Sequence, residues 1–286
     1  MARVLIAGCG YVGTALAANL SVEGHEVWTL RRSLTAPSRG VVGIRADLTD
    51  IDALRGLPPR LDNVFYTASA DAMDDRSYRS AYVDGLRYLL AALEGHPIRR
   101  IVFTSSTGVY AQSHGEWVDE DSPAEPSGFS GKRLLEAERL LRLARFPTTV
   151  VRFAGIYGPG RARLVERVRQ RNAAIPAGGP VYANRIHRDD CVGVLSHAMM
   201  LEHPDPLYVA ADEEPAETAV VLRWIAERLG IPLPDVDPLE DGSRYGRTTN
   251  KRVRSTRLLA SGYRFRYPTF REGYRELIAG GRAAGD

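Results

Sequence analysis

Short apolar runs alternate with amphipathic stretches of helical period along most of the chain. Val4, Leu5 and Ile6 form a continuous apolar run, as expected of a strand buried on both faces. From Tyr11 the spacing of Leu16, Ala17 and Leu20 predicts a helix, with Gly24 beyond its end. Residues 26–30 read as a second strand and 41–48 as a third; a short helix near Asp50–Leu57 follows and is ended by Pro58 and Pro59. Residues 63–69 read as a fourth strand. A helix is expected over Tyr78–Leu93, with Tyr82, Leu86, Leu89, Leu90 and Leu93 at helical spacing and Gly95 and Pro97 closing it. Ile101–Ser105 reads as strand five. The polar stretch 111–129, rich in Gly, Pro and Ser, reads as a loop long enough to border an active site. Then come a helix at Gly131–Arg145, a strand at Thr149–Phe153, a glycine-rich turn at 154–161 and a charged helix at 161–171. Residues 184–190 lead into an apolar helix ending near Met200, and 207–211 read as a strand. A helix at 217–229 is expected to bury Val220, Val221, Trp224, Ile225 and Leu229. The tail, 250–279, carries many arginines and aromatics and ends in a helix.

Strands alternating with helices predict an α/β fold with a doubly wound parallel sheet, whose ligands sit at the carboxyl ends of the strands. Between the first strand and its helix, Gly8, Gly10 and Gly13 follow the pattern G-x-G-x-x-G. The first glycine allows a tight turn, the second a close backbone approach to a pyrophosphate, and the third close helix–strand packing. The helix start supplies free N–H groups and a positive dipole for the phosphates. Gly8, Cys9, Gly10, Tyr11, Val12 and Gly13 are therefore expected at a dinucleotide, with Asp47, Thr67, Ala68 and Ser69 at neighbouring strand ends. The second strand ends in Arg31 and Arg32, where an acid would hold the ribose 2′-hydroxyl of NAD. Two guanidiniums match a 2′-phosphate instead, so NADP is preferred over NAD; the plainer reading is a pair of solvated arginines.

Composition narrows the class. A chain of 286 residues, 44% hydrophobic and 26% charged, suits one large or two closely joined soluble domains. No apolar run approaches the roughly 18 residues of a membrane span, and the first strand begins too early for a signal peptide. Cys9 and Cys191 make no disulfide framework, and a reducing cytoplasm is the expected compartment. A net charge of +3 without a dense basic run gives no reason to expect nucleic acid. His187 with Asp189 and Asp190 is too little for a metal site. Of 38 basic residues only Lys132 and Lys251 are lysines, which hints at places needing a compact ammonium.

Five segments carry a family resemblance: AGCGYVG at 7–13, SSTGVY at 105–110, VRFAGIYGPGR at 151–161, NRIHRDD at 184–190, and the stretch 250–274. With them the chain resembles the extended short-chain dehydrogenase/reductases of the NAD(P)-dependent epimerase/dehydratase superfamily, and more narrowly an atypical bacterial subgroup. The resemblance implies a Rossmann-like doubly wound parallel sheet over 1–155, completed by about 182–212. A small C-terminal α/β substrate lobe, 156–181 and 213–286, would close over the cofactor. It also implies a catalytic Ser or Thr and a Tyr-x-x-x-Lys pair. Ser106 falls on the serine position and Lys132 on the lysine position. Gly128 stands where the tyrosine belongs, and Phe129 is one residue off, about 100° around a helix. Tyr110 and Tyr157 are candidate substitutes for the missing proton donor, with His114, Asp119 and Glu120 on the bordering loop. The segment holding His187 is mainly structural in the family.

Arg152, Arg161, Arg163 and Arg185 are candidate contacts to an anionic substrate, with Lys251 a further one; Arg161 and Arg163 read equally well as a solvated helix face. The Asp-Glu pair of the family's dehydratases is replaced by Thr107 and Gly108, which disfavours a sugar-nucleotide 4,6-dehydratase. Two functions follow. One is an NADP-linked oxidoreductase or epimerase acting on a carbonyl or secondary alcohol of a small, sugar-nucleotide-like substrate. The other is an NADP-binding sensor without hydride chemistry. A homodimer is a candidate assembly; neither membrane nor nucleic acid is expected.

Overall fold

In the computed structural model, which describes residues 1–33, 38–175, 179–233 and 250–280, the first apolar run forms β1 (Arg3–Ala7), buried from Val4 to Ala7. It leads through a glycine turn into α1 (Tyr11–Val22), whose Leu16, Ala17 and Leu20 face the core. Then come β2 (Glu26–Arg31), β3 (Val41–Arg45), β4 (Asn63–Tyr66), α2 (Asp75–Tyr78), α3 (Gly85–Ala92) and β5 (Arg100–Ser106). β6 (Glu116–Val118), α4 (Phe129–Arg142), β7 (Thr148–Phe153), β8 (Gly155–Tyr157) and α5 (Arg163–Arg169) continue the chain. The rest comprises β9 (Arg185–His187), α6 (Arg188–Met200), β10 (Leu207–Ala210), α7 (Thr218–Leu229), β11 (Lys251–Val253), α8 (Thr256–Ala260) and α9 (Phe270–Gly280).

Seven strands make one sheet in the order β3-β2-β1-β4-β5-β7-β10. β1 pairs in parallel with β2 on one side and with β4 on the other, so the winding reverses at β1. In such sheets that reversal opens a crevice at the strand ends, and the turn Gly8–Gly10 lies there. The expected doubly wound α/β architecture is therefore the observed one.

The chain divides into two compact units. One comprises 1–109, 124–152 and 192–208; the other comprises 110–123, 153–191 and 209–286. The first holds most of the large sheet. The second is built around an apolar core from α5, α7 and α9, with Val165, Val168, Val221, Leu222, Ile225, Phe270 and Ile278 inside. It also contains two small parallel pairs, β6–β11 and β8–β9. These pairs explain where its limits differ from the expected lobe. Residues 110–123 join it because β6 pairs with β11, and 182–191 join it because β9 pairs with β8. Residues 281–286, at the end of the expected lobe, lie outside the described residues.

Other differences have local causes. Residues 111–129 are not all loop, since β6 lies within them; its pairing partner is more than 130 residues away and leaves no local pattern. The fourth strand ends at Tyr66, level with the end of its partner β1 at Ala7, and the Thr67 N–H makes the last bond of that ladder, to the Ala7 carbonyl at 2.8 Å. The helix expected from Tyr78 starts at Asp75, capped by the Asp74 side chain on the Ser77 N–H. It then runs through a π-helical segment, Arg79–Asp84, which shifts the buried face to include Val83. The segment near 50–57 is a single 3₁₀ turn, Ala53–Gly56. In α7, Val220 is 38% exposed while Thr218 and Leu222 are buried in its stead. No described helix is long and apolar enough to cross a membrane.

Candidate active site

The glycine turn has the geometry its spacing predicts. Gly8 has φ +94°, and a Cβ there would sit 2.2 Å from the Ala68 backbone nitrogen. The Thr67 hydroxyl donates to the Gly8 carbonyl at 2.5 Å, so the turn after β1 and the turn after β4 are laced together. A Cβ on Gly13 would meet the Gly8 carbonyl at 2.5 Å, so helix and turn touch through backbone. At Gly10, by contrast, the space a Cβ would take is open to 4 Å. Gly10 is also the N-cap of α1 and supplies no capping side chain, and Tyr11 and Val12 open the helix behind it. A helix start facing open space suits an anion such as a pyrophosphate.

That space belongs to a cavity of about 370 Å³ lined by Gly8, Cys9, Gly10, Arg31, Arg32, Asp47, Thr67, Ala68 and Ser69. Nine of the expected positions, drawn from four segments of the chain, thus line one cavity, while Tyr11, Val12 and Gly13 form the helix start and its packing contact rather than the lining. The Asp47 carboxylate accepts from the Thr49 N–H at 2.9 Å and from its hydroxyl at 2.7 Å. Arg32 is held by Asp71, Nη1 to Oδ2 at 2.6 Å and Nη2 to Oδ1 at 2.5 Å. This contact raises the Arg32 pKa and lowers that of Asp71. Asp71 and Arg76 also line the cavity and were not foreseen: they sit in a polar run, residues 71–77, that matches no motif.

In the same unit Ser106 ends β5, partly exposed, and its hydroxyl accepts from the Gly108 N–H at 3.0 Å. Lys132 lies in the first turn of α4 with its side chain exposed. Gly128 is the N-cap of that helix with an extended backbone, φ −79° and ψ 155°. Phe129 packs edge-on against Tyr78 with ring centroids 5.4 Å apart, and Tyr78 in turn contacts Tyr82 at 5.3 Å. Burial raises the pKa of both tyrosines, Tyr82 to about 12.

Several expected site residues are structural. Arg152 is 5% exposed and makes a two-pronged ion pair with buried Glu138, so it is not a substrate contact; β7 points it inward, where the carboxylate compensates its charge. Tyr110 is wholly buried and its hydroxyl donates to the Asp119 carbonyl at 2.7 Å, which does not suit a substitute proton donor. Tyr157 is also buried, packed on Tyr274 and with its hydroxyl 2.0 Å from where a Cβ on Gly273 would be. Burial pushes its pKa far up, so it too is unsuited to that part. Lys251 is buried, with Nζ donating to the Tyr110 carbonyl at 2.8 Å.

The remaining arginines and His187 lie in the second unit. Arg161 and Arg163 are exposed, while Arg185 is 4% exposed with its guanidinium over the rings of Phe270 and Tyr274. His187 stacks on Tyr267 at 3.8 Å, and its Nδ1 accepts from the Asp189 N–H at 3.2 Å. Asp190 accepts from the backbone N–H groups of Arg266 and Tyr267 and from the Tyr263 hydroxyl, which ties the C-terminal segment to the start of α6. Among the described residues no cluster of His, Cys, Asp or Glu could hold a metal ion.

The sequence model of the NAD dependent epimerase/dehydratase family matches residues 4–205, well over half of the chain. The chain belongs to that family. A relative within reach of this epimerase/dehydratase chain is the 3-diazoavenalumate denitrifying reductase of a Streptomyces species, 28% identical over 300 residues, covering 95% of this chain and 98% of the reductase. A solved structure from Methylobacillus flagellatus, assigned to NAD-dependent epimerases/dehydratases, is 39% identical with a TM-score of 0.83, covering 98% of this chain and 99% of that one. MoeE5 in complex with UDP-glucose and NAD shares the fold at 22% identity and a TM-score of 0.81, each chain covered to 99%.

Proposed function

We propose that this epimerase/dehydratase-family protein is an NADP-linked oxidoreductase that interconverts a carbonyl and a secondary alcohol on a small substrate. The observation that carries the reading is one cavity in which an uncapped helix start, the open face of Gly10 and the end of β2 with Arg31 and Arg32 come together. The helix start suits the pyrophosphate, and the guanidiniums suit a 2′-phosphate. The kinship with a named reductase supports reduction as the chemistry.

A nicotinamide dinucleotide held in this cavity would supply or accept the hydride, two electrons with one proton, and a further proton would balance the oxygen. In the direction of reduction, the Ser106 hydroxyl donates a hydrogen bond to the carbonyl oxygen and stabilises the charge that grows there. Lys132 would hold a ribose hydroxyl of the dinucleotide, and its positive charge would favour the developing alkoxide. No tyrosine stands four residues before Lys132, so the proton for the alkoxide comes from water or from a substrate hydroxyl.

The test is NADPH oxidation against a panel of aldehydes, ketones and keto sugars, with Ser106→Ala alongside. Turnover of at least one carbonyl, reduced about 10²-fold or more by Ser106→Ala, is expected. Tight NADPH binding with no turnover across the panel, and none with cell extract as the substrate source, would replace this reading with that of a cofactor-binding sensor.

A further inference from the structure

Arg32 and Asp71 face each other across the rim of the dinucleotide cavity. Arg32 follows β2 and Asp71 follows the turn after β4, so the pair joins two strand ends that flank β1. Both Nη groups of Arg32 point at both carboxylate oxygens, a fork-on-fork contact. Both side chains are more than 60% exposed, so water competes for the contact and it opens at low cost.

We infer that Asp71 is a specificity-setting residue that competes with the 2′-phosphate for Arg32 and so narrows the margin by which NADP is preferred over NAD. This rests on the proposed assignment of Arg31 and Arg32 to the 2′-phosphate. A ribose 2′-hydroxyl leaves the pair closed and meets no charge that it must displace. A 2′-phosphate takes the guanidinium only by drawing it from the carboxylate, which then stays nearby as an uncompensated negative charge. Asp47, in the same cavity, adds a second carboxylate to that side, though its oxygen is already engaged by Thr49. The chain therefore carries the arginines of an NADP site together with an acid that restrains one of them, and the net choice is a balance between the two.

The experiment titrates the full-length protein with NADPH and with NADH by calorimetry, for wild type, Arg32→Ala and Asp71→Asn. Asparagine keeps the shape of the side chain and removes its charge. Arg32→Ala is expected to weaken NADPH by about tenfold or more and NADH by much less. Asp71→Asn is expected to tighten NADPH by about three- to fivefold and to leave NADH within about 1.5-fold. If Arg32→Ala weakens both cofactors equally, the 2′-phosphate assignment fails and this inference falls with it. If Arg32→Ala acts on NADPH selectively but Asp71→Asn leaves NADPH unchanged, weakens it, or shifts both cofactors alike, the assignment stands and the role of Asp71 is overturned.

Discussion

Arg152 grips Glu138 through two near-parallel hydrogen bonds, Nε to Oε1 at 3.0 Å and Nη2 to Oε2 at 2.7 Å, and Ser105 donates to the same Oε1 at 2.7 Å. Both charged side chains are at least 94% buried. Removing one partner strands the other charge in the interior. Glu138→Ala is expected to cost about 3–5 kcal/mol in urea denaturation, and the paired change Arg152→Met with Glu138→Leu much less. The double variant is expected to keep its cofactor affinity, which fits a structural pair beside β5.

The first two glycines of the turn should separate in their effects. Gly8→Ala forces a left-handed backbone and a collision with Ala68, and is expected to lower stability by about 3 kcal/mol in the same denaturation assay. Gly10→Ala meets nothing in the free protein and is expected to move the Tm by less than about 2 °C. Its methyl group would occupy the place of the pyrophosphate, so calorimetry is expected to show NADPH and NADH both weakened by about tenfold or more.

Gly128 has no backbone need to be glycine, and the nearest atom to its missing Cβ is the Ser130 hydroxyl at 4.0 Å. Gly128→Tyr is expected to fold with little change in Tm. If proton delivery limits turnover, the new hydroxyl is expected to raise kcat by about 10²-fold, most clearly near neutral pH, read as the rate of NADPH oxidation.

The second unit should show an acid sensitivity traceable to His187. Burial lowers its pKa, against the opposite pull of Asp189 and Asp190. A histidine with a depressed folded pKa adds stability that is present above its unfolded value, near 6.5, and is lost as pH falls through the folded value. Buried Asp190 and Asp212 act oppositely: their raised pKa values favour the fold when protonated and lose that contribution as pH rises. The Tm advantage of wild type over His187→Gln is therefore expected to shrink between pH 7.5 and 5.5, by about 2–4 °C in a thermal melt.

The apolar runs at Val4–Ile6 and Ile101–Phe103 and the glycine spacing were enough to read the sheet and the dinucleotide turn, because both are written in contiguous residues. Pairings made at a distance left no such trace. β6 pairs with β11, and Asp71 meets Arg32 across 39 residues; neither segment carries a pattern that names its partner. Charge was legible as charge but not as placement. Arg152 and Arg161 belong to one motif, yet the first is in the core beside Glu138 and the second is at the surface. The scarcity of lysine pointed to two positions: Lys132 is exposed at the start of α4, and Lys251 spends its ammonium on a buried carbonyl. A residue's rarity marked that something was required there and not whether the requirement was chemical or structural.

The parallel pairing of β6 with β11 also dictates an order of events during synthesis. A ribosome working from the N-terminus has made Glu116–Val118 more than 130 residues before their partner Lys251–Val253 emerges. Until then the Tyr110 carbonyl lacks the Lys251 ammonium, and the Gly115 N–H lacks its acceptor at Asn250. The second unit thus gains this pairing only once residues 251–253 have been made, whereas β1, α1, β2 and β4, which frame the dinucleotide turn, are all in hand before the seventieth residue.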